Sequence, residues 1–342
     1  MTANAPPVVG NLPAAARNAI TDVPGVSVGH RTLADGACQT GVTVIRPHAG
    51  NVYTHKVPAA AVVLNGFGKS IGLVQVEELG VLETPIALTN TFGVGTVAQA
   101  QIRAAIAENP EIGRGWPTVN PLVFECNDGY LNDIQAMAVQ EADYAQALAA
   151  AGAEVAQGAV GAGRGMSSFG VKGGIGTASR MAGGYTVGAV VLSNFGTAES
   201  LIYAGEAVGG RLAERLDQEK GPEKGSIIMV VATDAPLDAR QLRRLALRAG
   251  TGLARTGSVF GHGSGDIALA FSTAYTVPHL ADVPMPAVPM VHESRLDPLF
   301  RAAADSVEQA IVHALWHAQP VTGRDGHHRA ALRELLPDLS ET

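Results

Sequence analysis

Two cysteines, Cys38 and Cys126, are all that the 342 residues contain. They supply no disulfide framework, and a reducing compartment is the simplest setting. Charge is also scarce. Charged residues are 16% of the chain, the net charge is −7, and no dense lysine–arginine block occurs. This excludes the usual surfaces that grip nucleic acid or an anionic membrane. Aromatic residues are few, at 5%. No apolar run approaches the ~18 residues of a membrane span. The opening, MTANAPPVVGNLPAAARNAI, lacks a basic stretch followed by an apolar one; the expectation is a soluble, cytoplasmic protein. Hydrophobic residues, at 46%, suffice for an ordinary globular interior. The length suits one large domain or two modest ones.

Glycine is abundant, at 41 residues, and clusters in residues 158–176 (GAVGAGRGMSSFGVKGGIG) and 257–266 (GSVFGHGSGD). Such loops serve close backbone approach, to other backbone or to a ligand. Strand-like runs bounded by Gly, Pro or Asn recur at 42–45, 60–64, 84–89, 121–126, 185–193, 226–232 and 266–272. Helical periodicity marks 95–108, 141–152, 237–256 and 297–318, with Pro236 expected just inside the third of these. Residues 207–225 read as an exposed linker, and the polar tail from 322 reads as a surface segment. Alternating strands and helices suggest sheets covered by helices.

Several motifs fail on inspection. NGFGKSIG (65–72) has Val63 where a phosphate-binding loop needs glycine, and Ile71 where a dinucleotide fingerprint needs it. His313 and His317 lack the glutamate of a zinc-binding helix. Gly68, Ser70 and Gly72 do match a nucleophile elbow, so a conventional α/β-hydrolase using Ser70, with His262 as base, is one reading.

Gly225–Ser226 offers another. It joins a polar turn to the run IIMVV, and a buried strand seldom opens on serine. A serine hydroxyl held against the preceding carbonyl can attack it, turning the amide into an ester that water cleaves. Glycine at that carbonyl removes bulk and permits unusual φ/ψ. The new terminal amine, with an ordinary pKa of about 7.7–8.0, is then a base for its own hydroxyl.

Blocks in order along nearly the whole chain resemble the DmpA-like family of self-processing β-peptidyl and D-aminopeptidases. They are ITDVPGVSVGH (20–30), TPIALTNTFGVG (84–95), NDGYLNDI (127–134), GVKGGIGTASR (170–180), VVLSNFG (190–196), GSIIMVVATDAPL (225–237), GHGSGDIALAFST (261–273) and TGRDG (322–326). The resemblance implies a four-layer αββα sandwich, like N-terminal-nucleophile hydrolases but differently connected. It implies one domain cut into residues 1–225 and 226–342, with Ser226 as nucleophile and Asn194 in the oxyanion hole. Ser264 and Asp266 match a serine and an acidic residue that contact the nucleophile and its amine; better-known members have glutamate there, and Asp266 is one methylene shorter. Tyr130 matches a pocket tyrosine. Lys172 is either an exposed loop lysine or a site residue. Where members acting on free amino termini often carry an acidic residue, this chain reads Gly66-Phe67-Gly68-Lys69; a pocket-facing Lys69 is expected to repel an ammonium and favour a carboxylate or neutral amide.

The implied reaction is hydrolysis at the N-terminal residue of a small peptide, amide or ester, without metal or cofactor, in a homotetramer of αβ pairs. Nylon-oligomer-type amide hydrolysis and an uncleaved, non-catalytic binding protein are the alternatives. Self-processing acyltransferases of arginine synthesis share the general architecture, but use threonine where Ser226 stands.

Overall fold

The computed structural model describes residues 5–216 and 224–340. Its main strands are β1 (Ser27–Asp35), β2 (Cys38–Arg46), β3 (His55–Gly66), β4 (Ile86–Asn90), β5 (Leu122–Cys126), β6 (Gly174–Ala182), β7 (Tyr185–Asn194), β8 (Lys224–Thr233) and β9 (Gly263–Ser272). The helices that cover them are α1 (Leu73–Leu79), α2 (Val94–Glu108), α3 (Glu141–Ala149), α4 (Gly209–Leu216), α5 (Ala239–Ala254) and α6 (Asp297–His317). One sheet has the order β1-β2-β4-β5; the other runs β3-β9-β8-β7-β6 with short strands added at β3. β8 and β9 are parallel, as are β4 and β5, and the other main pairings are antiparallel.

Side-chain alternation builds three apolar layers from these two sheets. Between the sheets, Leu192, Ile228 and Val230 meet Ile45, Leu88 and Phe124. On the outer face of the larger sheet, Met229, Val231 and Ala268 pack with Leu242, Leu245, Val307 and Ile311 of α5 and α6. On the outer face of the smaller sheet, Val44, Ala87 and Val123 pack with Val97, Tyr144 and Ala147 of α2 and α3. The result is helix, sheet, sheet, helix. β8 is covered on both faces, which is why its sequence is uniformly apolar instead of alternating. Burying each large side chain of this strand contributes roughly 1.5–3 kcal/mol.

Local chemistry moves some expected boundaries. Asp238 Oδ1 accepts from Gln241 N (2.7 Å) and Gln241 Oε1 accepts from Asp238 N (3.2 Å), a reciprocal cap that starts α5 at Ala239. Pro236 therefore lies outside the helix, not within it. The expected linker at 207–225 begins instead with α4, whose Leu212 is buried; residues 217–223 lie outside the described residues. β6 emerges from the second half of the first glycine-rich stretch. A side chain at Gly176 would sit 1.8 Å from the Ala310 carbonyl, so its glycine lets α6 lie directly on the strand.

α6 is buried on nearly every side, polar residues included. Val9 N donates to Gln309 Oε1 (2.7 Å), and Arg255 pairs with Asp305 (2.7 Å) and Glu308 (3.2 Å). His313 Nδ1 donates to the Thr177 carbonyl at 2.7 Å, and burial pulls its pKa down from 6.5 to about 4. Between these values the unfolded chain binds the proton and the folded chain does not. Stability from this group is therefore present above 6.5 and lost as pH falls toward 4. At about 1.4 kcal/mol per pH unit, wild type is expected to lose about 3 kcal/mol relative to His313→Gln between roughly pH 7 and pH 4. Denaturant unfolding of both proteins at each pH measures this difference.

Candidate active site

The site lies where strand ends from both sheets meet: the ends of β3, β5 and β7 and the starts of β8 and β9. Register fixes its centre. Ser226 pairs with Asn194 of β7 on one side and with Gly265 of β9 on the other. Ser226 is 6% exposed, and its Oγ accepts from Gly265 N at 3.1 Å. Gly225 has φ +119°, a conformation for glycine, and a Cβ there would lie 1.9 Å from the Asn194 carbonyl oxygen.

Asn194 is held in one orientation. Its Oδ1 accepts from Ser167 N (2.8 Å) and its Nδ2 donates to the Asn127 carbonyl (3.1 Å). A backbone N–H only donates and a carbonyl only accepts, so the amide cannot be reversed. Its second N–H makes no hydrogen bond among the described residues, and the strand register sets Asn194 opposite Ser226, so it is the kind of neutral donor that steadies an oxyanion. Ser264 Oγ donates to Asp266 Oδ1 at 2.6 Å, and both residues are fully buried one step along β9 from the Ser226 pairing. The short aspartate thus still reaches its serine. Asn65, which sequence reasoning passed over, donates from Nδ2 to the carbonyls of Gly261 (3.0 Å), His262 (3.3 Å) and Ser264, strapping the loop that precedes these residues.

Glu125 is the other unanticipated group. Its signal was a carboxylate inside the apolar run LVFEC, where a doubly covered strand demands partners for any charge. It is 2% exposed; Oε1 accepts from Lys69 N (2.7 Å) and Oε2 from the Thr91 hydroxyl. Only glycine separates it from the hydroxyl. A Cβ at Gly68 would lie 3.6 Å from Glu125 Oε1, and a Cβ at Gly265 would lie 3.0 Å from Ser226 Oγ. Lys69 itself keeps its ammonium over the Phe67 ring, 4.3 Å from the centroid.

Lys172 is not the exposed loop lysine that was one of its two readings. It is fully buried, and its three N–H groups go to the carbonyls of Gly163 (2.9 Å), Met166 (2.6 Å) and Gly173 (2.8 Å). Three donors meet three acceptors, and burial pulls its pKa well below the ordinary lysine value. It shapes the loop whose next residue, Ser167, holds Asn194. Tyr130 stands at the rim, 39% exposed, stacked on His327 with ring centroids 4.6 Å apart. Asp128, two residues before it, is buried and accepts from Asn132 Nδ2 at 3.0 Å, and burial raises its pKa to about 6.

The elbow reading of Ser70 finds no base. Its Oγ is buried with no hydrogen-bond partner among the described residues, and the His262 ring lies against Phe67, centroids 6.2 Å apart. His313, bound to Thr177, packs edge-on against His317, as expected of structural histidines. No helix among the described residues is long and apolar enough to cross a membrane.

An αββα sandwich with a serine at the head of a central strand, an amide donor facing it and a buried serine–carboxylate pair alongside defines a hydrolase of the N-terminal-nucleophile class. A profile of peptidase family S58 matches residues 18–329. A beta-peptidyl aminopeptidase of Sphingosinicella xenopeptidilytica is 38% identical over 334 residues, spanning 90% of this chain and 83% of its own. A Burkholderia sp. beta-aminopeptidase structure superposes with a TM-score of 0.89 at 43% identity, covering 97% of this chain and 96% of the other. The L-aminopeptidase D-Ala-esterase/amidase of Ochrobactrum anthropi, described as a prototype for the serine aminopeptidases and a new variant among the Ntn hydrolase fold, gives 0.88 at 36% identity, covering 98% and 96%. The chain belongs to peptidase family S58. It is a serine aminopeptidase/amidase, a hydrolase of peptide bonds.

Proposed function

We propose that the chain cuts itself between Gly225 and Ser226 and then uses Ser226 as an N-terminal nucleophile. In the first step Ser226 Oγ bonds to the Gly225 carbonyl carbon and the C–N bond to Ser226 breaks, leaving an ester and a free amine. Water then cleaves the ester, releasing the Gly225 carboxylate and restoring the hydroxyl. The observation that carries this reading is the junction itself: a glycine at φ +119° wedged against Asn194, followed by a buried hydroxyl already within hydrogen-bond reach of Gly265 N.

In turnover the Ser226 amine takes the hydroxyl proton as Oγ attacks the substrate carbonyl. Asn194 Nδ2 holds the oxyanion. The ammonium then protonates the leaving amine, and water hydrolyses the acyl ester. Ser264 and Asp266 orient the amine, and Asp266 balances its charge. Relatives named for β-peptides, L-residues and D-alanyl esters support N-terminal residues joined by amide or ester as the substrate class. We place the protein in the cytoplasm as a tetramer of αβ pairs; Leu280, Val283, Met285 and Met290, exposed on one proline-rich stretch, support self-association.

Glu125 serves the free amino terminus of the substrate. Its carboxylate retains acceptor capacity beyond the two hydrogen bonds that it makes among the described residues, and Gly68 and Gly265 lie between it and the nucleophile. Lys69 as a repellent of ammonium groups is the competing expectation. A free-amine anilide and its carboxylate-bearing counterpart separate the two. The free amine is expected to react at least about 10²-fold faster, with Glu125→Gln losing most of that preference. Faster cleavage of the carboxylate-bearing substrate by wild type would assign the choice to Lys69.

A further inference from the structure

The polar tail is a surface segment that folds onto the loop after β5. Short strands Val321–Thr322 and His328–Arg329 pair and turn the tail over the loop after β5. Arg324 N donates to the Leu131 carbonyl (2.8 Å) and His327 Nδ1 donates to that of Tyr130 (2.8 Å). This brings Arg329 across the Tyr130 ring, with its guanidinium carbon 3.7 Å from the centroid. Its Nε donates to Ser167 Oγ at 3.3 Å.

Arg329 is half-buried yet has no carboxylate partner among the described residues, whereas neighbouring Arg324 pairs with Asp325 at 2.7 Å. Its two terminal nitrogens make no hydrogen bond among the described residues. Tyr130 fixes the plane of the guanidinium, which leaves that edge as a rigid, partly desolvated fork for an anion. Ser167 links it to the reaction centre: its N–H holds Asn194, and its hydroxyl receives Arg329. Arg329 therefore flanks Ser226 on the β7 side, whereas Glu125 flanks it on the β9 side. A peptide with its amino end at Glu125 and its scissile carbonyl at Ser226 runs toward Arg329.

We infer that Arg329 binds the C-terminal carboxylate of a short peptide leaving group, so that the enzyme selects small free-acid peptides over capped ones. This rests on the hydrolase reading above.

The test compares kcat/KM for a dipeptide acid, the same dipeptide as its C-terminal amide, and a free-amine anilide. Wild type, Arg329→Gln and Arg329→Lys are assayed. Wild type is expected to favour the acid over the amide by about tenfold or more, as for a charge-assisted, forked contact. Arg329→Gln brings that ratio close to one, chiefly through loss on the acid. Arg329→Lys keeps part of it, because charge remains without the fork. A wild-type ratio of one, or an equal fall on acid and amide in Arg329→Gln, overturns the inference and leaves Arg329 a staple for the tail. Cleavage of none of the three substrates by wild type overturns the hydrolase reading and this inference with it. Cleavage of the anilide without acid–amide discrimination overturns only the inference.

Discussion

Ser226→Ala is expected to yield a folded, uncut chain whose kcat/KM falls roughly 10⁴–10⁶-fold, the scale seen when a nucleophile is removed. Among the described residues the hydroxyl makes one hydrogen bond, with Gly265 N, so the folding cost is limited to about 1–3 kcal/mol for an unmet buried donor. Both chemical steps disappear together because the same oxygen performs both. Ser70→Ala is the matched control. Its hydroxyl is buried without a partner among the described residues, so the substitution removes an unpaired polar atom and leaves processing and turnover intact. Denaturing electrophoresis and steady-state rates on a free-amine anilide read out both variants.

Gly225→Ala is expected to be nearly as damaging, by a different route. An alanine there must hold φ near +119° and place its Cβ 1.9 Å from the Asn194 carbonyl oxygen. Backbone cannot absorb that overlap without parting β7 from β8 at the pair Asn194–Ser226. Strain in such regions costs about 1–3 kcal/mol before any displacement. The displacement then moves the attacking oxygen and the oxyanion donor away from each other's partners. Loss of cleavage, together with a lower denaturant midpoint, is the expected pair of results. A variant that cuts at the normal rate with an unchanged midpoint would show that the junction's geometry is unimportant.

Much of the fold was legible where burial imposes a pattern. Ile227–Val231 reads as a strand covered on both faces and becomes the centre of the larger sheet. Leu242, Leu245, Ala246 and Ala249 form the stripe that α5 lays on it. What escaped was set by partners distant in sequence. β6 is interrupted by Gly174, Gly176 and Ser179, weak strand formers alone, and its glycines let α6 lie flat against it. β1 carries His30, Arg31 and Thr32 on a half-covered edge, where apolar periodicity fades.

The site divides similarly. Ser226, Asn194, Ser264 and Asp266 converge because pairing of β7, β8 and β9 brings their strand ends together, and local sequence cannot express that pairing. Glu125 was readable in principle as a charge in an apolar run. Arg329 was not: its meaning comes from Tyr130 and Ser167, about 200 and 160 residues away along the chain. Lys172 shows the opposite error. A cation among glycines looks solvent-exposed, yet those glycines leave room for carbonyls to converge on it.

Intact mass with N-terminal sequencing of the purified wild-type protein is the most direct measurement. Two pieces are predicted, 1–225 and 226–342, the second beginning Ser-Ile-Ile-Met. A single unbroken chain that still hydrolyses peptides would contradict the account, because no free amine would then stand beside the Ser226 hydroxyl.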